Sequence, residues 1–127
     1  MAKLSHMVLP VTDVGKSRDW YVNNLDFKLE FEREGVAAIK DTADLTIFLQ
    51  KTANAPAGEK ITLTIQVKDV DRKHQELASR GVKFASAPKL QFWGYGAEVL
   101  DPDGYINHLW DEATMLKATR EKGESPK

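Results

Sequence analysis

Strict alternation of apolar and polar residues is clearest at Ile61, Leu63, Ile65 and Val67, which interleave with Thr62, Thr64 and Gln66. A period of two places the aliphatic set on one face of a strand and the polar set on the other. The run His6-Met7-Val8-Leu9-Pro10-Val11-Thr12-Asp13-Val14 aligns with Thr62 to Val70, and both end in Asp-Val. Beyond each Asp-Val the apolar spacing lengthens to that of a helix. Ser17, Trp20, Tyr21 and Leu25 form one stripe, and Val70, His74, Leu77, Ala78 and Gly81 form the other. Asp13 and Asp69 sit where an N-cap carboxylate accepts a bond from a first-turn amide, and Gly81 supplies a left-handed stop. Strands are then expected over Phe27 to Glu34, Val36 to Lys40 and Leu45 to Lys51, and again over Val82 to Phe84, Trp93 to Leu100 and Tyr105 to Trp110.

The chain therefore reads as one strand-helix-strand-strand-strand unit written twice, an α+β arrangement of two βαβββ modules. Module 1 covers about 4–51, a polar linker 52–60, and module 2 about 61–112, within one domain of residues 1–121. Residues 122–127 read as a disordered tail, and Thr114 to Arg120 has weak helical character. Asp101-Pro102-Asp103-Gly104 is a turn signal, because proline fixes one dihedral angle and glycine accepts a positive one. These residues are assigned to structure and not to chemistry.

Composition narrows the function. With 127 residues, 42% hydrophobic and 29% charged, the chain suffices for a packed core without staples. Its 18 Lys and Arg face 19 Asp and Glu, so there is no basic footprint for nucleic acid or an anionic membrane. Absence of cysteine removes disulfides, thiolate metal sites and cysteine nucleophiles. Apolar runs are too short to span a bilayer, and MAKLSHMVLP lacks a signal-peptide core, so a cytoplasmic protein is expected.

Strand parity sorts the side chains. Leu9 and Val11, Leu45, Ile47 and Leu49, and the aliphatics from Ile61 to Val67 are expected under the helices. The opposite faces carry His6, Val8 and Pro10; Thr46, Phe48 and Gln50; Thr62, Thr64 and Gln66; and Ile106, His108 and Trp110. Curling of the two modules toward each other would make these line one groove. Aromatic walls with a few polar groups are typical of small-molecule sites. The candidate ligand-binding residues are His6, Phe48, Gln50, Thr62, Thr64, Gln66, Trp93, Tyr95, His108 and Trp110. His74 is assigned to packing, and Trp20 and Tyr21 to the helix stripe. Trp93 and Trp110 also admit structural readings.

The duplicated unit resembles the vicinal oxygen chelate superfamily, which includes glyoxalase I, extradiol dioxygenases and bleomycin-resistance proteins. Carrying the resemblance are HMVLPVTDV, Ser17-x-x-Trp20-Tyr21-x-x-x-Leu25-Asp26-Phe27, Val67-x-Asp69-Val70-Asp71, Trp93-Gly94 and Asp101-Pro102-Asp103-Gly104. Asp26 departs from the usual glycine and Tyr105 from the usual asparagine. The resemblance implies a curved, half-barrel-like mixed sheet with helices outside, and a homodimer in which module one of one chain faces module two of the other.

In the catalytic branches the resemblance implies four metal-binding positions, which fall on His6, Phe48, Thr62 and His108. A phenyl ring cannot ligate and a threonine hydroxyl is a weak donor, whereas catalytic sites normally use three protein ligands. The expectation is therefore no cofactor. The expected function is a metal-independent protein that sequesters a planar or aromatic small molecule, an antibiotic among the candidates. Asn107-His108-Leu109 resembles the bleomycin-resistance pattern at this place. The alternative is a lyase, isomerase or extradiol dioxygenase holding Zn, Ni, Mn or Fe through His6 and His108, with Gln50, Gln66 or Glu98 adding an oxygen. Its catalytic residues are not specified by the sequence.

Overall fold

The computed structural model describes residues 2–54, 61–92 and 94–114. Its elements are β1 (Met7–Val11), α1 (Val14–Leu25), β2 (Lys28–Arg33), β3 (Val36–Lys40), β4 (Thr46–Lys51), β5 (Thr62–Gln66), α2 (Val70–Ser79), β6 (Phe84–Gln91), β7 (Gly94–Leu100) and β8 (Ile106–Trp110). The order is the duplicated βαβββ read from the alternation. The largest difference is β6, which begins where the expected strand ended and runs to Gln91. The strands form two separate four-stranded mixed sheets, ordered β1-β4-β3-β2 and β5-β8-β7-β6.

The described residues divide into two compact units, 2–54 with 101–103, and 61–92 and 94–100 with 104–114. In the first unit, β1 runs parallel to β4, pairing Leu9 with Leu49 and Val8 with Phe48. α1 packs over β3 and β4. Tyr21 and Leu25 of the helix meet Leu9, Val11, Ala37, Ile39, Ile47 and Leu49 in a core from which water is nearly excluded. Burial of side chains of this size contributes about 1.5–3 kcal/mol each relative to full exposure. Leu45 was expected in this core but precedes β4 and is 39% exposed.

The second unit repeats the plan with β5 parallel to β8. α2 packs over β6 and β7, and its Val70 and Leu77 are buried together with Ala97, Val99, Tyr105 and Leu109. Leu63 and Ile65 share the side of Asn107 and Leu109 but are only half-buried. Their strand is the sheet edge, and the helix lies over the far pair of strands.

The helix ends follow the expected chemistry. Asp13 accepts from the Lys16 amide at 2.9 Å, and Asp69 from the Arg72 amide at 3.0 Å. Buried Asp111 adds a second cap on α2, accepting from the Val70 amide at 2.7 Å. Burial alone would raise the pKa of Asp111. Bonds from the Thr114 hydroxyl and from the Val70 and Thr114 amides reverse that and hold it below the usual value. Gly81 follows α2 at φ 78°, as expected. The 101–104 turn is built on carboxylates: Asp101 accepts from the Asp103 amide at 2.9 Å and from the buried Tyr21 hydroxyl at 2.7 Å. Asp103 accepts from the Thr12 hydroxyl at 2.6 Å and the Ser17 hydroxyl at 3.3 Å.

Asp26 closes α1 in the left-handed region at φ 60°, where the resemblance led one to expect glycine. A side chain with a Cβ is strained there, although aspartate tolerates it better than most residues. Asp26→Gly is expected to raise the unfolding free energy by about 0.5–1 kcal/mol in urea denaturation.

Candidate functional site

Each sheet has one face under its helix and one open face, and register fixes which side chains share them. Across the open face of the first sheet, Val8 of β1 stands beside Phe48 of β4, Phe48 beside Ala38 of β3, and Ala38 beside Phe31 of β2. The His6 ring stacks on Phe48 with centroids 4.0 Å apart and planes 17° from parallel. Phe31 meets Phe48 edge-on at 5.5 Å. The two phenyl rings can meet across an intervening strand because its residue is alanine, which is itself fully buried. The Arg33 guanidinium lies 5.4 Å from the Phe31 centroid. Phe31 remains 36% exposed and Val8 49%. The result is a row of rings reaching from the first strand to the sheet edge, open to solvent. Gln50 lies on this face beside Pro10 and Val36 and is exposed.

The equivalent row on the second sheet is polar. Thr64, His108, Glu98 and Ser86 stand side by side on β5, β8, β7 and β6. His108 Nε2 and Glu98 Oε2 are 3.0 Å apart, with side-chain exposures of 17% and 23%. Gln91 donates to the Ser86 hydroxyl at 3.0 Å, which extends the row. Gln66 pairs with Trp110 one step along, and Thr62 with Ile106 on the other side. Thr62, Thr64 and Gln66 are exposed, while His108 and Trp110 are half-buried. A depression of about 450 Å³ beside Gln66 is lined by Val67, Lys68, Glu112 and Ala113, away from the His108–Glu98 pair.

Thus His6, Phe48 and Gln50 share the first open face, and Thr62, Thr64, Gln66, His108 and Trp110 share the second. Trp93 lies outside the described residues. Tyr95 is a correction: it has the parity of Ala97 and Val99, which face the helix, and its hydroxyl donates to Asp71 of α2 at 2.6 Å. That bond, then burial and the nearby Asp71, Asp111 and Asp69 charges, push the phenol up to about 12. Phe31, Arg33 and Ser86 are open-face residues that the sequence reading left aside. Glu98, named there only as an oxygen donor, emerges as the direct partner of His108. Its signal was legible, since Glu98 alternates between Ala97 and Val99 and so opposes their face.

The donors can be tested against a divalent metal. The four positions supply two imidazoles, a threonine hydroxyl and a phenyl ring. His6 Nδ1 is 3.0 Å from the Ser5 hydroxyl and its ring is stacked, while His108 is engaged by Glu98. Among the described residues no three His, Cys, Asp or Glu side chains converge. The side chains at these four positions do not make the three-ligand set that catalytic zinc sites normally use.

The fold and these faces define a duplicated βαβββ protein. The profile of the Glyoxalase/Bleomycin resistance protein/Dioxygenase superfamily matches residues 3–109, and the chain belongs to that superfamily. No curated protein matches the sequence. Among solved structures, a possible glyoxalase from Bacillus cereus superposes with a TM-score of 0.74 at 19% identity, covering 86% of this chain and 98% of its own. A superfamily member from Sphaerobacter thermophilus gives 0.72 at 24% identity, with 87% and 98% covered. TnmS3, an antibiotic binding protein from a Streptomyces species, gives 0.71 at 29% identity, again over 87% and 98%.

The neutral phenol of Tyr95 is the form bonded to Asp71, so its contribution to stability is complete below pH 10. It disappears as pH rises through about 12. Asp71→Asn is expected to move the Tyr95 titration, followed by ring carbon chemical shifts, down toward the ordinary phenol value.

Proposed function

We propose that this chain is a metal-independent, cytoplasmic small-molecule-binding protein that sequesters a planar or aromatic ligand, with antibiotics among the candidates. The reading is carried by the solvent-open row His6–Phe48–Phe31 on the first sheet. Offset and edge-on rings present apolar faces and polarised edges to a further ring, and each such contact is worth about 0.5–1.5 kcal/mol beyond area burial. Thr62, Thr64, Gln66, His108 and Trp110, on the open face of the second sheet, are hydrogen-bonding and aromatic candidates in their own right. Similarity at 29% identity to a protein described as antibiotic binding supports the same class. The protein would act by mass action, lowering free ligand without turnover.

A second reading has one observation in its favour. The adjacent His108 and Glu98 supply an imidazole and a carboxylate, two of the three donors that a metal-dependent lyase, isomerase or dioxygenase would need.

Equilibrium dialysis against a panel of planar aromatic antibiotics tests the first reading. Binding is expected, and Phe48→Ala is expected to weaken it about tenfold. Stoichiometric Zn, Ni, Mn or Fe in protein purified without chelators, lost in His6→Ala and His108→Ala, would instead select the second. A twofold homodimer is part of the proposal, since closed twofold assembly is the commonest arrangement of soluble oligomers. Sedimentation equilibrium is expected to give twice the 14.3 kDa chain mass.

A further inference from the structure

We infer that the ligand taken up by the first sheet is a planar aromatic acid, and that Arg33 anchors its carboxylate or sulfonate. The inference rests on the proposed capture of a planar ligand and adds the charge that ligand carries.

Three observations converge on Arg33. The ring row ends at β2, and the Arg33 guanidinium is held 5.4 Å from the centroid of its last ring, Phe31. A cation over a ring is attracted by the negative face of the π system, which draws this exposed charge toward the ring row. Second, Arg33 has no carboxylate partner among the described residues. Two other cations of this unit are engaged: Arg18 pairs with Asp19 and Glu32, and Lys40 with Glu30 and Asp44. Those pairs occupy Glu30 and Glu32 of β2, and Glu34, next to Arg33 in the chain, makes no ion pair with it. The face therefore carries a positive charge that its own carboxylates do not neutralise.

Third, the chemistry of the guanidinium suits the geometry. A guanidinium that meets a ring through its flat face keeps its in-plane N–H donors for an acceptor. A planar acid laid along Phe48 and Phe31 carries its carboxylate oxygens in or near its own ring plane, where a forked donor can meet both. A cationic planar ligand would face like charge at the same place. This end of the ring row consequently selects anions over cations and over neutral isosteres. The contribution is modest, because β2 is an exposed edge strand and solvent screens the pair.

The test uses matched probes, anthraquinone-2-carboxylate and the neutral anthraquinone-2-carboxamide, titrated calorimetrically into the full chain. Wild-type protein is expected to bind the carboxylate about fivefold more tightly than the amide. Arg33→Gln is expected to abolish that preference, and Arg33→Lys to retain part of it, since the charge survives without the fork. Equal affinity of the two probes for wild type, or a preference that survives Arg33→Gln, overturns the inference. In that event the aromatic capture still stands if Phe48→Ala weakens both probes. If neither probe binds, the capture reading and the inference fall together.

Discussion

A four-stranded sheet has two faces, and in each unit a single helix covers one of them. α1 lies over β3 and β4, and α2 over β6 and β7. The contrast between the two faces follows from that shortfall. The covered face becomes a dry aliphatic core, with Val11, Ala37, Ile39 and Leu49 in one unit and Ala97, Val99 and Leu109 in the other almost wholly removed from water. The uncovered face keeps half-exposed side chains standing in register about 5 Å apart across the strands. Such a surface has its spacing fixed by ladder hydrogen bonds, and among the described residues no helix of its own unit covers it.

Duplication kept this frame while the chemistry of the two faces diverged. Equivalent rows read Val8, Phe48, Ala38, Phe31 in the first unit and Thr64, His108, Glu98, Ser86 in the second. One row is apolar and aromatic; the other is a ladder of donors and acceptors around an imidazole–carboxylate pair. The backbone requirements are met by the same devices in both units, a parallel first and last strand and an aspartate cap before the helix. Most side chains on the open face are free of those requirements, with the fully buried Ala38 as an exception.

The carboxylates show how much of the acidic chemistry the backbone consumes. Asp13, Asp69 and Asp111 accept from first-turn amides, and Asp101 and Asp103 tie the proline turn to Tyr21, Thr12 and Ser17. Each would otherwise leave an amide or hydroxyl without a partner, a loss of about 1–3 kcal/mol when the group is buried. The buried carboxylates are thus structural. Glu98 differs from them in bonding to a side chain of the open face.

The sequence by itself determined the repeat, the element order, the caps, the turn and the parity that divides most strands into covered and open faces, because period, capping and turn chemistry are local. A phenyl ring at position 48 ligates nothing in any fold, and that too is read from the residue alone. Local pattern failed where the outcome depends on which strand lies beside which. Tyr95 reads as a groove aromatic until Asp71 of the helix is found bonded to it. Leu63 and Ile65 read as core until β5 proves to be an edge. The closeness of His108 to Glu98, and of Phe48 to Phe31 across the methyl of Ala38, exists only through inter-strand register. Contacts between residues far apart in the chain are set by strand pairing, and tertiary structure alone decides them.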